Sequence, residues 1–364
     1  MPTTSSWALA LAVLAATVTP AMADDELDLG RPREGEDAKK AKKAKKAKKA
    51  WRLEAPTISG FLQVHYRLAF DTADDAVTDY QNVRVQRARI ALEGKVRPWL
   101  AYDLSIDPRA PELRGVLRDA YLSITRVIPR HAIRIGQQKT QFGYEGRESS
   151  TRLFAVNRTE MTDNLTAGIN HRDVGVGLIG RIPLGGGVRI EDAITVVNGA
   201  GLNAQADDTA RKNVFGRVGL RYRRDDVTVR VGVSGAWGDY LDPNEPADPA
   251  DDERVEFTTG GADLQLDHPW LFASAEAVLS QRIIDGEDDD LLGYYANLVI
   301  KTPCDLGPLI RFDALGDEYR RVTFGAYYGA ADAPVRVLVN YEYRQLKDGV
   351  RGDDKLYLWT QVRF

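Results

Sequence analysis

Chemistry needs nucleophiles, bases or metal ligands gathered in one place, and this chain holds few of them. Its 364 residues include four histidines (His65, His131, His171 and His268) and one cysteine, Cys304, which cannot form an intramolecular disulfide. No set of His, Cys and carboxylate side chains has zinc spacing. Gly185-Gly186-Gly187 is not followed by the Lys-Ser/Thr of a phosphate loop. No catalytic residue, metal or cofactor is therefore expected. The chain does hold many charges on alternating positions. Arg67, Arg87, Arg89, Arg134, Arg217, Arg221, Arg230, Arg336 and Arg344 fall on the polar face of period-two segments, together with Asp103, Asp107 and Asp119. Lys139 stands at the mouth of one long connection that holds Arg147, Arg152 and Arg158 against Glu145, Glu148 and Glu160. Rings of arginine favour anions. The signs nearly balance, so some of these arginines are expected to pair with acids on neighbouring strands.

The elements that carry these charges are strands. From Thr57 to Phe364, segment after segment alternates apolar and polar residues, the period of a strand with two unlike faces. Val227, Val229, Val231 and Val233 oppose Thr228, Arg230 and Ser234; Val335, Val337 and Val339 oppose Arg336 and Asn340. A soluble sandwich also alternates, and three further features separate the two cases. Charges sit at mid-strand on the polar face, as in a water-filled lumen. Connections alternate short and long: turns such as Arg97-Pro98-Trp99 and Arg224-Asp225-Asp226 against stretches such as 143–172 and 239–253. The chain also closes on a strand ending in Phe364. The expectation is an all-β, transmembrane antiparallel barrel of about 16 strands. Both termini would lie on the periplasmic side and the third long loop, 143–172, would fold inward. Aromatics near strand ends, among them Trp99, Trp237, Tyr240, Trp270, Tyr327 and Trp359, are expected to form interfacial girdles.

The N-terminal residues read differently. Residues 1–23 carry an apolar run from Trp7 to Val18 and end in Ala21-Met22-Ala23, the pattern of a cleaved export signal. Residues 24–56 form a polar leader with eight lysines between Lys39 and Lys49, too polar to bury a core and expected to be disordered. Its basic character points to the anionic cell wall, since export excludes nucleic acid. The remaining residues, 57–364, make the barrel. Acids crowd the expected external loops, including Asp288-Asp289-Asp290, without the spacing of a calcium loop.

Several stretches resemble the phosphate-selective porin O and P family of Gram-negative outer membranes. Gly136-Gln137-Gln138-Lys139-Thr140-Gln141-Phe142-Gly143-Tyr144-Glu145 is similar to that family's G-x-x-K-x-x-F-G-x-E stretch. Arg172-Asp173-Val174-Gly175-Val176 resembles its R-D-x-G-V block, and Asn198-Gly199-Ala200-Gly201 its N-G-x-G element. The resemblance implies a sixteen-stranded, usually trimeric pore for small hydrophilic solutes, set among outer-membrane lipid and lipopolysaccharide. Phosphate selectivity in the family is marked by pore lysines. Outside the leader only Lys95, Lys139, Lys212, Lys301, Lys347 and Lys355 are present, so a modest preference for anions is the expectation, with phosphate specificity left open. The competing readings are a structural or adhesive barrel with little conductance and, last, a barrel hydrolase.

Overall fold

The computed structural model describes residues 55–70, 80–109, 116–165, 171–204, 211–241, 254–284 and 287–364. The expected export signal, nearly all of the lysine-rich leader and the tips of several external loops lie outside these residues.

Sixteen strands follow one another in a single antiparallel meander. The first eight are β1 (Thr57–Phe70), β2 (Tyr80–Arg97), β3 (Leu100–Ile106), β4 (Leu117–Thr125), β5 (His131–Lys139), β6 (Arg172–Gly185), β7 (Val188–Val197) and β8 (Asn213–Arg224). The second eight are β9 (Val227–Leu241), β10 (Arg254–His268), β11 (Leu271–Ile284), β12 (Glu287–Ile300), β13 (Leu306–Leu315), β14 (Tyr319–Tyr328), β15 (Val335–Leu346) and β16 (Asp354–Arg363). Each pairs with its neighbours in sequence, and β1 pairs with β16, so the barrel is closed and has no free edge. Phe364 completes the seam: its N–H donates to the Gly60 carbonyl at 3.0 Å, and its carbonyl accepts from the Gly60 N–H at 2.8 Å.

The period-two pattern becomes geometry directly. Leu62, Ile90, Leu122, Val218, Val233, Leu264, Ile310 and Leu358 are exposed on the outside, the greasy band expected of a barrel in lipid. Sixteen strands also enclose more space than their own side chains fill.

Two expectations are corrected. Asp288, Asp289 and Asp290 belong to β12, where Asp289 pairs with Arg282 of β11; the ladder runs past the expected loop because the β11–β12 pairing continues to Ile284 and Glu287. Trp359, Tyr327 and Tyr240 do not join an external girdle. Trp359 and Tyr327 are buried on the inner face, and Tyr240 packs against an inner cluster.

That inner packing is made by the connection after β5, whose described residues 140–165 turn into the lumen and carry the short helix α1 (Glu160–Leu165). Phe142, Met161 and Leu165 join Phe215, Phe257, Tyr295, Leu315 and Tyr319 in one buried cluster. Phe154 and Val156 join Val299, Leu309, Tyr327, Leu338, Tyr357 and Trp359 in a second. Met161 is seated on β12 at Gly293, where a Cβ would come within 2.3 Å of the Met161 side chain.

Candidate functional site

The docked loop leaves a cavity against the opposite wall, and polar bonds fix where the loop lies. At the start of the loop, the Glu276 carboxylate of β11 accepts the N–H groups of Tyr144 and Glu145, each at 3.1 Å, while the Gly143 N–H donates to Ser234 of β9 at 2.9 Å. Gly143 has φ +62°, and a Cβ there would lie 2.0 Å from the Glu276 carboxylate, so glycine is the residue that permits this approach. Farther along, Arg336 of β15 donates to the Thr151 carbonyl, Arg311 of β13 to that of Asn157 and Arg321 of β14 to that of Arg158. Glu145 closes the loop on itself, accepting from the Thr159 N–H at 2.9 Å and its hydroxyl at 2.8 Å. The loop is thereby bound to the wall from β9 round to β16.

What remains open is a cavity of about 430 Å³ between the loop and the opposite wall. Arg87 and Arg89 of β2, Arg118 of β4, Lys139 of β5, Arg172 of β6 and Arg158 of the loop line it on one side. Arg321, Arg344 and Lys355 close it on the other, and the carboxylates facing it are Glu160, Asp163 and Glu342. Nine cations thus face three acids, and the acids have partners of their own. Glu342 accepts from Asn157 at 2.9 Å and pairs with Arg321 at 3.3 Å; Asp163 bonds to His171 at 3.1 Å and Glu160 stands 3.7 Å from Arg344. Burial holds His171 below its ordinary pKa despite the Asp163 bond, with the Arg158 and Lys139 charges acting in the same direction. The imidazole is therefore uncharged at neutral pH.

Alternation placed Arg87, Arg89 and Arg344 on the inner face, the long loop and its mouth added Arg158 and Lys139, and the structure brings these five together on the cavity. It scatters the others. Arg217 is locked to Asp263 at 2.6 Å in a buried pair, and Arg336 lies buried over the Phe154 ring. Neither faces open water, because the loop covers their arc of the wall. Arg147 donates to Gln141 at 3.1 Å, and Arg152 sits 3.8 Å from Glu148. Arg221 and Arg230 are cross-strand neighbours, Arg134 stacks over Tyr121, and Arg67 lies between Asn82 and Tyr357. Asp103 accepts from the Tyr121 hydroxyl and Asp107 from the Ala88 N–H. Asp119 is held by Arg172 through two bonds of 2.9 and 3.0 Å.

Four cations of the cavity were missed. Arg172 stood in the R-D-x-G-V block without a role in the pore, Arg321 was an ordinary polar position, and Lys355 was counted only among the lysines. Arg118 was hidden by a break in the period. Between Ser105↔Asp119 and Ile106↔Leu117 the register slips by one residue, and Arg118 is the extra one. A second slip, between Gln63↔Arg87 and Val64↔Val85, turns Gln86 into the cavity beside Arg87. Such bulges re-aim side chains.

The histidines do not assemble a catalytic group. His65 accepts from Arg84 at 2.7 Å, His131 bonds Asp192 at 2.9 Å, and the His268 ring accepts from the Trp270 N–H at 3.2 Å. Among the described residues, no group of three or more His, Cys, Asp or Glu is placed to hold a metal.

The closed sixteen-stranded antiparallel barrel superposes on solved structures. An anion-selective porin from Comamonas acidovorans superposes with a TM-score of 0.59 at 11% identity, covering 86% of this chain and all of that one. An outer-membrane protein of Vibrio cholerae, OmpT in its trimer form, gives 0.55 at 11% identity, covering 85% and 100%. Salmonella typhi OmpF in complex with daunomycin gives 0.55 at 14%, covering 85% and 97%. The fold is that of the outer-membrane porins. Within this porin barrel, residues 61–183 match the family model described as phosphate-selective porin O and P, a stretch that runs from β1 into β6 and holds the basic wall and the whole docked loop. No curated protein matches the sequence.

Proposed function

We propose that the chain is a water-filled outer-membrane channel for passive diffusion of small hydrophilic solutes, with a preference for anions. The observation that carries this reading is the composition of the cavity beside the docked loop: nine cations, with the three acids engaged by wall or loop partners. Fixed positive charge in such a site attracts small anions, repels cations and raises the local anion concentration. The anion-selective neighbour from Comamonas acidovorans supports the same direction. Among the described lysines only Lys139 and Lys355 reach the cavity, so phosphate specificity forms no part of the proposal. The trimeric neighbour supports a homotrimer. The Lys39–Lys49 stretch would act as a periplasmic arm toward anionic cell wall, with both termini on that side and the acidic loops toward lipopolysaccharide. Catalysis has no support in the geometry, and the channel reading stands in place of the hydrolase. The test is the zero-current potential across a planar bilayer holding the purified protein in a tenfold KCl gradient. A potential set mainly by chloride supports the proposal; a potassium-selective or non-conducting protein overturns it.

A further inference from the structure

The bulge in β4 is more fully built than a local irregularity requires. Inserting Arg118 leaves main-chain carbonyls out of the regular ladder, and unpaired carbonyls away from water are costly. Here they are met by side chains from elsewhere. Gln137 of β5 donates to the carbonyls of both Leu117 and Arg118 at 3.0 Å, and Asn203, beyond β7, donates to the Leu117 carbonyl at 2.9 Å. The Ser105 hydroxyl accepts the Asp119 N–H at 3.1 Å and donates to the Asp119 carboxylate at 2.8 Å. Three side chains thus hold the bulge open, and Arg118 is the side chain it adds to the cavity.

The neighbouring carboxylate does not neutralise that guanidinium. Both oxygens of Asp119 are taken by Arg172, with Ser105 adding a third bond. Asp107, the next acid along the wall, accepts a main-chain N–H. The Arg118 guanidinium makes no hydrogen bond or ion pair within 4 Å among the described residues, and its Nε is buried without a partner. Arg89 beside it has an unpartnered Nε too and lies over the Phe61 ring at 5.3 Å. Two guanidinium forks with free donors therefore face one void, a geometry suited to a carboxylate or another oxyanion as well as to chloride.

We propose that the β4 bulge is a specificity device, and that Arg118, which it turns into the passage, is a principal determinant of anion over cation passage. The inference rests on the anion-preferring channel proposed above. It also makes a distinctive demand: deleting Arg118 should restore a regular ladder, leaving Leu117 opposite Ile106 and Asp119 opposite Ser105, and remove one lumen charge without moving another.

The experiment compares chloride-to-potassium permeability ratios of the wild type, R118Q, R118K and the Arg118 deletion from zero-current potentials in KCl gradients. R118Q keeps the main-chain bonds that hold the bulge, so it tests the charge if the deletion does not fold into a barrel. One unscreened charge a few ångströms from a passing ion in water should change the ratio about threefold near 0.1 M salt, and less at 1 M. R118Q and the deletion should lose that factor, and R118K should retain the wild-type ratio. An R118Q ratio equal to wild type overturns the inference, as does an R118K ratio as low as that of R118Q. A wild type without anion preference would instead remove the underlying channel reading, so the two failures are distinct.

Discussion

From β7 round to β16, the inner wall of this barrel behaves like the interior of a soluble protein. Phe215, Phe257, Tyr295, Tyr327 and Trp359 pack against a loop that brings its own Phe142, Phe154 and Met161. Charges such as Arg217–Asp263 and Arg321–Asp313 are closed into pairs, and of this arc's described cations only Arg321, Arg344 and Lys355 reach the cavity's far edge. From β2 to β6 the same face carries Gln86, Arg87, Arg89, Arg118, Lys139 and Arg172, which line the open cavity. Both arcs obey the same period and are built on the same ladder. They differ in what stands opposite: a hydrophobic loop on one side and water on the other. A lumen-facing charge is thus a selectivity element on one arc and a structural tie on the other, and its strand position alone does not say which.

The packed arc should break most readily at Phe142. Phe142→Ala should remove about 3–5 kcal/mol, the usual cost of emptying a buried phenylalanine site. Denaturant midpoints should fall, and single-channel conductance should rise as the loop leaves the wall. A lower midpoint with unchanged conductance would mean that the loop does not set the pore. Next in size is Asp313→Asn. It leaves Arg321 (3.0 Å) and Arg311 (3.3 Å) without a shared carboxylate, a loss of about 3 kcal/mol for a buried pair broken from one side. The same denaturant midpoints would show it, with selectivity moving further toward anions. On the open arc, Arg89→Gln should shift stability by no more than about 0.5 kcal/mol while lowering chloride permeability. A large stability loss there would show that the basic wall is packed rather than wet.

The smallest effect concerns pH. His171 is held neutral by burial, so the unfolded chain binds its proton more readily than the folded one. Stability from this site is complete above about pH 6.5 and declines as the pH falls through the lower folded value. Loop docking should therefore weaken in mildly acidic buffer, seen as noisier single-channel currents below about pH 6, and His171→Gln should be insensitive over that range.

The barrel itself was legible in the sequence because a period of two, short and long connections in turn and an even strand count leave few other closed arrangements. The docked loop was legible from its length. Its grip was less so, although the signal was present: Phe215, Phe257, Tyr295, Leu315 and Tyr319 are large apolar or aromatic residues at inward positions, where a purely wet lumen would place polar ones. Arg118 could not be read, because a bulge moves one residue across the sheet without any mark in composition. Nor could the capture of Asp119 by Arg172, which joins residues 53 apart across β4, β5 and β6.

The central claim is that ions pass along the basic arc and that anions are favoured there. Crystals of the detergent-purified protein soaked in rubidium bromide test it directly by anomalous scattering. Bromide should concentrate beside Arg87, Arg89 and Arg118, with rubidium absent from that void. Rubidium in that place, or bromide confined to the outside of the barrel, would contradict the claim.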